Sequence, residues 1–150
     1  MDHQLKVTRS GTELGNAGEE PGVHSPLVLK ARFVFKLLAQ ILAVFIAIQV
    51  FLAGLALFWN TDNWASHSGF GKLLMVFPIL MLVASFIARL PTAFRLSSAG
   101  LIVLIVLMFV TAKLSSEVGY LSALHPVFAL MMFMGAISNA RKINALNKAK

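Results

Sequence analysis

The sequence contains no cysteine, and few of its residues are charged. Without cysteine the chain has no disulfide, no thiolate nucleophile, and no zinc or iron–sulfur site that depends on cysteine ligands. Charged residues make up 13% of the 150 residues, against about 25% in an average soluble domain. Hydrophobic residues make up 58%, more than a soluble chain of this length can bury. Soluble enzyme classes are therefore excluded.

Carboxylates are scarce, and none lies within an apolar run. The six acidic residues are Asp2, Glu13, Glu19, Glu20, Asp62 and Glu117. Proton relays, paired acid–base catalysis and hard-metal sites all need carboxylates at the reacting centre, so these classes are not expected. The net charge of +7 comes from basic residues that flank apolar runs. This placement predicts contact with lipid headgroups and no binding of nucleic acid.

Four apolar stretches, at about 33–59, 70–88, 96–116 and 122–140, are each long enough to cross a membrane. About 20 helical residues, at about 1.5 Å per residue, span a hydrocarbon core of about 30 Å. Pro78 lies inside the second stretch and predicts a kink. Ser122 is the predicted N-cap of the fourth helix, with Pro126 in its first turn. The predicted fold class is an all-α transmembrane four-helix bundle.

Basic residues and loop lengths predict how this bundle is threaded. Nine Lys and Arg residues flank one set of span ends, and only Lys72 and Lys113 flank the other. The excess of basic residues on cytoplasmic loops predicts that both termini are cytoplasmic. Short connections predict an up-down-up-down order. We expect residues 1–29 to form a flexible cytoplasmic tail, residues 30–142 the transmembrane domain and residues 143–150 a basic cytoplasmic tail.

His67 and His125 are the candidate site residues, because each opens an even-numbered span after an outer loop. This echo indicates that the two hairpins are parallel repeats about an axis along the membrane normal. Helices two and four are diagonal in an up-down bundle, so the two imidazoles are placed to ligate one haem iron. Possible hydrogen-bond partners around such a site are Ser66, Ser68 and Ser122.

A structural interpretation of the two histidines stands beside the haem hypothesis. His67 can be an interfacial residue, and His125 can pack the start of helix four with Ser122 or a loop carbonyl as its partner. His67 lies 22 residues before Arg89, whereas His125 lies only 16 before Arg141. If both helices are straight and end level, these counts predict a depth offset of about 9 Å between the rings.

Other polar or small residues in the spans have mainly packing explanations. Gln49 is a lone amide in the middle of the first span, and we expect it to make an interhelical hydrogen bond or a ligand contact. Gly54 offers a close-packing face, which is a hypothetical contact for a homodimer. The Met-rich stretch at 131–134 is typical of core filling.

Several short motifs resemble small four-span bacterial membrane proteins of unknown function. These motifs are Gln49-Val-Phe-Leu-Ala-Gly-Leu-Ala-Leu-Phe58, His67-x-x-x-Gly71, Arg89-Leu-Pro91 and Leu124-His125-Pro126-Val127. The layout is also similar to one half of a haem A synthase-type bundle. That resemblance implies haem ligands at His67 and His125. Asn63 stands where that family has a glutamate, so the family's catalytic carboxylate is missing. The resemblance implies the cytoplasmic (inner) membrane of a bacterium.

The leading functional hypothesis is a non-enzymatic membrane component, either an assembly partner or a small binding module. One alternative is a b-type haem protein in electron transfer, with His67 and His125 as axial ligands. Another is a small carrier or channel, which the near absence of intramembrane charge argues against. The expected partners are the lipid bilayer and either another membrane protein or a second copy of the chain. The sequence does not identify a cofactor; haem b is the candidate that His67 and His125 offer.

Overall fold

The computed structural model describes residues 25–114 and 118–148, and all of the secondary structure in these ranges is helical. The helices are α1 (Pro26–Phe58), α2 (Asn63–Leu74), α3 (Val76–Ile87), α4 (Thr92–Lys113), α5 (Gly119–Ser122) and α6 (Leu124–Lys148). Predictions for residues 1–24, including most of the expected tail, lie outside the described residues. So do those for Glu117 and Lys150.

Four helical segments are long and apolar enough to cross a membrane. They are Pro26–Phe58, Asn63–Ile87, Thr92–Lys113 and Gly119–Lys148, so the second span joins α2 and α3 and the fourth joins α5 and α6. Large apolar side chains such as Phe33, Phe51 and Leu130 are more than half exposed on the bundle surface, as lipid contact requires. The chain is therefore a multi-pass membrane protein.

The helices differ from the predicted spans in their bounds and breaks. The first begins at Pro26 instead of 33, because proline suits the first helical position, and the second begins at Asn63 instead of 70. Pro78, from which a kink was predicted, lies three residues after an interruption of the helix at Met75, between α2 and α3. Proline lacks an N–H group and crowds the carbonyl four residues earlier. The N-cap prediction for Ser122 is wrong: this residue ends α5, and its hydroxyl donates to the Gly119 carbonyl.

The turn between α3 and α4 is closed by backbone hydrogen bonds and by a residue in the left-handed region. Arg89 has a φ of 49°, and its N–H donates to the Phe86 carbonyl at 3.1 Å. The next N–H, of Leu90, donates to the Ser85 carbonyl at 3.0 Å. This pair of bonds is a Schellman motif, which satisfies carbonyls that the end of a helix leaves open. Pro91 is then the N-cap residue of α4.

Each span packs against its neighbours in the chain, and the last span packs against the first. α1 contacts both halves of the second span, α3 contacts α4, α4 contacts α6, and α6 contacts α1. The second span therefore lies diagonally opposite α6, and α1 lies diagonally opposite α4. The diagonal helices α1 and α4 contact each other through side chains: the rings of Phe35 and Phe94 pack edge to face with centroids 5.6 Å apart.

Buried positions repeat between the two helical hairpins. Eight buried positions of the first hairpin have a buried counterpart in the second. Four positions in α1 have it 59 residues later in α4, and four in the second span have it 58 residues later in α6. The buried pairs are Phe35/Phe94, Ala39/Ser98, Leu42/Leu101, Ile46/Ile105, Leu74/Met132, Pro78/Ala136, Met81/Asn139 and Ser85/Ile143. The two offsets differ by only one residue, so the hairpins present equivalent faces to the core. This pattern supports the internal repeat that the histidine echo indicated.

Candidate functional site

The imidazoles of His67 and His125 meet across the bundle. His67 lies on α2 and His125 on α6, which are diagonal helices. Their ring centroids are 6.2 Å apart, with planes inclined by 53°. Both side chains are half-buried. The packing therefore brings together two residues that are 58 positions apart and equivalent in the repeat.

The expected depth offset of about 9 Å between the two rings is absent, because its premise about helix ends is wrong. α6 does not end near Arg141 but continues to Lys148, and Ile143 within this extension is fully buried. Ser85 lies 18 positions after His67 and Ile143 lies 18 positions after His125, and both are fully buried. The ring centroids are 6.2 Å apart, which excludes an offset of about 9 Å in depth.

Each histidine is held by a backbone carbonyl of the preceding long helix. His67 Nδ1 lies 3.1 Å from the carbonyl oxygen of Gln49 on α1, and His125 Nδ1 lies 3.0 Å from that of Met108 on α4. A carbonyl oxygen can only accept a hydrogen bond, so Nδ1 carries the proton in both rings. The lone pair of each neutral imidazole is therefore on Nε2, the nitrogen farther from the chain. Sequence reasoning did not identify the carbonyls, because backbone acceptors have no residue signature.

Gln49 completes a reciprocal clamp on His67. Its side-chain Nε2 donates to the His67 backbone carbonyl at 2.7 Å, while its own backbone carbonyl accepts from the His67 ring. The two bonds tie α1 to α2 beside the imidazole and restrict rotation of the ring. Gln49 is buried, and its Oε1 has no hydrogen-bond partner among the described residues.

Gly71 leaves the space that the Gln49 amide occupies. A Cβ atom at position 71 would lie 2.7 Å from Gln49 Nε2, whereas one at Gly69 would meet nothing within 4 Å. Alanine in a helix is favoured over glycine by about 1 kcal/mol, so we expect Gly69→Ala to be neutral or stabilising. Gly71→Ala must displace the amide from its hydrogen bond, at a cost of about 0.5–1.5 kcal/mol.

Thermal unfolding of the two variants in detergent, followed by circular dichroism, tests this prediction. Gly69→Ala is the matched control, because it makes the same chemical change two residues earlier on the same helix. We expect the melting temperature of Gly71→Ala to be lower than that of Gly69→Ala. Equal melting temperatures would contradict a clamp that depends on the missing Cβ.

The two imidazoles face a cavity of about 310 Å³ in the half of the bundle near Asn63 and Leu124. This volume is at the lower end of the range for ligand sites. The lining residues are Ile46, Gln49, Val50, Ala53, His67, Ser68, Gly71, Lys72, Leu74, Ile105, Met108, Phe109, Ala112, His125, Pro126, Ala129 and Met132. Among the described residues that line it, most are apolar and none is a carboxylate, so the site is suited to an apolar ligand.

The wall of the cavity follows the same repeat as the core. Its sixteen residues other than Lys72 form eight pairs at the offsets of 59 and 58, among them Gln49/Met108 and His67/His125. A small residue lies four positions after each member of these two pairs. The four small residues are Ala53, Ala112, Gly71 and Ala129, one from each of four helices. The alanines on three of these helices leave room beside the two rings for a flat group, whereas the space at Gly71 is occupied by the Gln49 amide.

The serine residues that were considered as partners of the histidines do not hydrogen-bond to either ring among the described contacts. The Ser68 hydroxyl lines the cavity but donates to the Ala65 carbonyl at 3.1 Å, and Ser122 is engaged by Gly119. Within the described ranges, no three metal-ligating side chains come together. The site thus consists of two imidazoles with backbone partners.

Comparison with known proteins gives one match. No curated protein and no solved structure is significantly similar to the chain. Residues 49–115, which are 67 of the 150 residues, match the model of a family of unknown function, DUF6220. The matched segment begins at Gln49 and includes His67, so the first half of the site lies in the part of this multi-pass membrane protein that is similar to that family.

Proposed function

We propose that this protein binds one b-type haem between His67 and His125 and carries electrons in the membrane. The observation that carries this proposal is the pair of opposed imidazoles, whose centroids are 6.2 Å apart. Two imidazoles that bind one metal from opposite sides, with metal–nitrogen bonds of about 2.0 Å, hold their ring centroids roughly 6 Å apart. The spacing therefore suits a metal held between the two Nε2 atoms.

The hydrogen bonds at Nδ1 support ligation by both histidines. Histidine ligands nearly always donate their other ring N–H to a carbonyl or carboxylate, which sets the tautomer and orients the ring. Gln49 and Met108 supply such carbonyls to His67 and His125. The same bonds also suit two neutral histidines that only pack together. The cavity that both rings line, with its mostly apolar wall, favours a ligand.

An electron-carrier role follows from the number of ligands and the chemistry of the wall. Haem, when bound, supplies reversible one-electron redox chemistry. His67 and His125 would both hold its iron, which would leave no position for a substrate or for dioxygen. No described residue of the cavity wall is a carboxylate that would transfer protons. A haem-dependent enzyme and a carboxylate-based carrier are both less consistent with these residues than a small haem-binding module.

A visible spectrum of the purified full-length protein tests the proposal. The protein is expressed with haem supplied, extracted in mild detergent and titrated with a reductant. We expect about one haem per chain, the sharp α-band of a six-coordinate ferrous haem, and little binding of carbon monoxide. A preparation that remains colourless with haem present would contradict the proposal. A five-coordinate spectrum that binds carbon monoxide readily would exclude ligation by both histidines.

We further propose an up-down-up-down arrangement in a bacterial cytoplasmic membrane, with both termini in the cytoplasm. The α1–α2 contact at Gln49 and His67, and the contact of Arg32 with Ala88 at the other end of α1, support antiparallel packing of the first two spans. The orientation rests on nine basic residues against two at opposite span ends.

Labelling of single cysteines tests this topology without background, because the sequence has no cysteine of its own. Asp62→Cys places a thiol in the exposed turn after α1, and Lys148→Cys places one at the end of α6. In intact bacterial cells we expect a membrane-impermeant maleimide to label Asp62→Cys only. Lys148→Cys should react only after permeabilisation. Labelling of Lys148→Cys in intact cells would contradict cytoplasmic termini.

A further inference from the structure

Lys72 is the one residue of the cavity wall that breaks the internal repeat. The other lining residues form pairs, one member in each hairpin. The position equivalent to Lys72 is Leu130, which does not line the cavity and is 59% exposed. Lys72 is also exposed. A residue that both lines the cavity and reaches the surface lies at its rim. The site therefore carries one positive charge on one side only.

This charge has no carboxylate nearby in the part of the chain that the structure describes. An ammonium group in a membrane-crossing helix is costly unless it is paired or reaches the interface. The one acidic residue in the described ranges is Asp62, which hydrogen-bonds to Asn60 in the turn before α2. It lies ten residues before Lys72, about 15 Å along a helix. The ammonium is thus available for an anion supplied by a ligand.

We propose that Lys72 binds a propionate carboxylate of the haem and so fixes which edge of the ring faces the second helical span. This inference rests on the function proposed above. Haem b combines a flat apolar ring with two carboxylates on one edge, and the cavity combines apolar walls with one cation at the rim. A charge-assisted hydrogen bond between ammonium and carboxylate is among the stronger polar contacts in proteins.

A second source of the same anionic chemistry is the phosphate of a lipid headgroup. A lysine near the end of a span can extend its chain along the helix surface and reach that phosphate. The two sources differ in what they require. Propionate pairing requires free carboxylates on the porphyrin, and lipid pairing requires phosphate in the surrounding medium.

Binding titrations with two porphyrins test the inference on the full chain. The probes are iron protoporphyrin IX and its dimethyl ester, which has the same ring and no free carboxylate. The protein is in a phosphate-free non-ionic detergent, and in parallel in nanodiscs of anionic lipid. Lys72→Met removes the charge and retains the length of the side chain. Lys113→Met is the control, because Lys113 is exposed at the end of α4 and does not line the cavity.

We expect Lys72→Met to weaken binding of the free acid about 10-fold in detergent and to leave binding of the ester unchanged. Lys113→Met should change neither. The inference is overturned if Lys72→Met weakens both porphyrins equally, which indicates a structural role, or weakens neither. An effect confined to anionic nanodiscs assigns the ammonium to lipid phosphate and also overturns it. If the wild-type chain binds neither porphyrin, the proposed function fails as well.

Discussion

Replacement of either His67 or His125 by alanine is expected to abolish the low-spin haem spectrum. In the proposed site each imidazole would supply one of the two protein ligands of the iron. One replacement would therefore leave a five-coordinate iron, and the double replacement would leave no protein ligand. The two single variants should behave alike, since the rings occupy equivalent positions in the repeat and each has one carbonyl partner. The measurement is the absorbance spectrum of each variant, purified with haem supplied, in the oxidised and reduced states.

Loss of haem must be separated from loss of fold. His24→Ala is the control, because it removes a histidine that precedes α1 in the chain. His125→Met is a second test that keeps a ligand. A methionine–histidine pair retains six coordination and raises the reduction potential. Circular dichroism confirms that each variant is helical. A folded His67→Ala variant with an unchanged spectrum would rule out His67 as a ligand.

Phe35→Ala is expected to lower the free energy of unfolding by about 3–5 kcal/mol, the usual cost of removing a large buried aromatic side chain. Phe35 is 0% exposed and packs edge to face on Phe94, where the diagonal helices α1 and α4 meet. Lipid cannot fill the space that the ring leaves in the core. Unfolding by an anionic detergent, monitored by circular dichroism, gives the difference.

Phe33→Ala is the matched control for this prediction. Phe33 lies two residues earlier on the same helix and is 63% exposed, so its ring makes few contacts with the protein and faces lipid. We expect Phe33→Ala to change the free energy of unfolding by less than about 1 kcal/mol. The Phe35→Ala/Phe94→Ala double-mutant cycle should show a coupling of about 0.5–1.5 kcal/mol. Equal destabilisation by Phe33→Ala and Phe35→Ala would mean that Phe35 faces lipid.

Sequence reasoning predicted the helices well, because each depends on a local property. Long uncharged runs identified four membrane-crossing segments, and Pro78 lies three residues after the interruption of the second. The helix bounds were less accurate, since a helix continues beyond the membrane wherever its residues still pack. Ile143 is an example: it follows two exposed basic residues in the chain, yet it is fully buried against the core. No local signal near Arg141 marks that continuation.

The same distinction applies to the candidate site. His67 and His125 were identified from their positions after the outer loops, but their predicted separation in depth was wrong because it assumed that α6 ended near Arg141. Gln49 was expected to bond between helices or to a ligand. Its reciprocal bonds with His67 depend on the missing Cβ of Gly71. Nothing in the residue pattern connects Gly71 with Gln49, because the two residues meet only when α1 packs on α2.

The sequence by itself determined that this chain enters a membrane, how many times it can cross, and that two of its four histidines lie at the starts of apolar spans. These properties follow from hydropathy and composition, which act locally along the chain. Only the tertiary structure decided that the two rings lie 6.2 Å apart, that carbonyls hold both, and that Lys72 alone breaks the symmetry of the cavity. These properties depend on the packing of diagonal helices, because a shift of one helical turn would move one ring by about 5.4 Å along the bundle relative to the other.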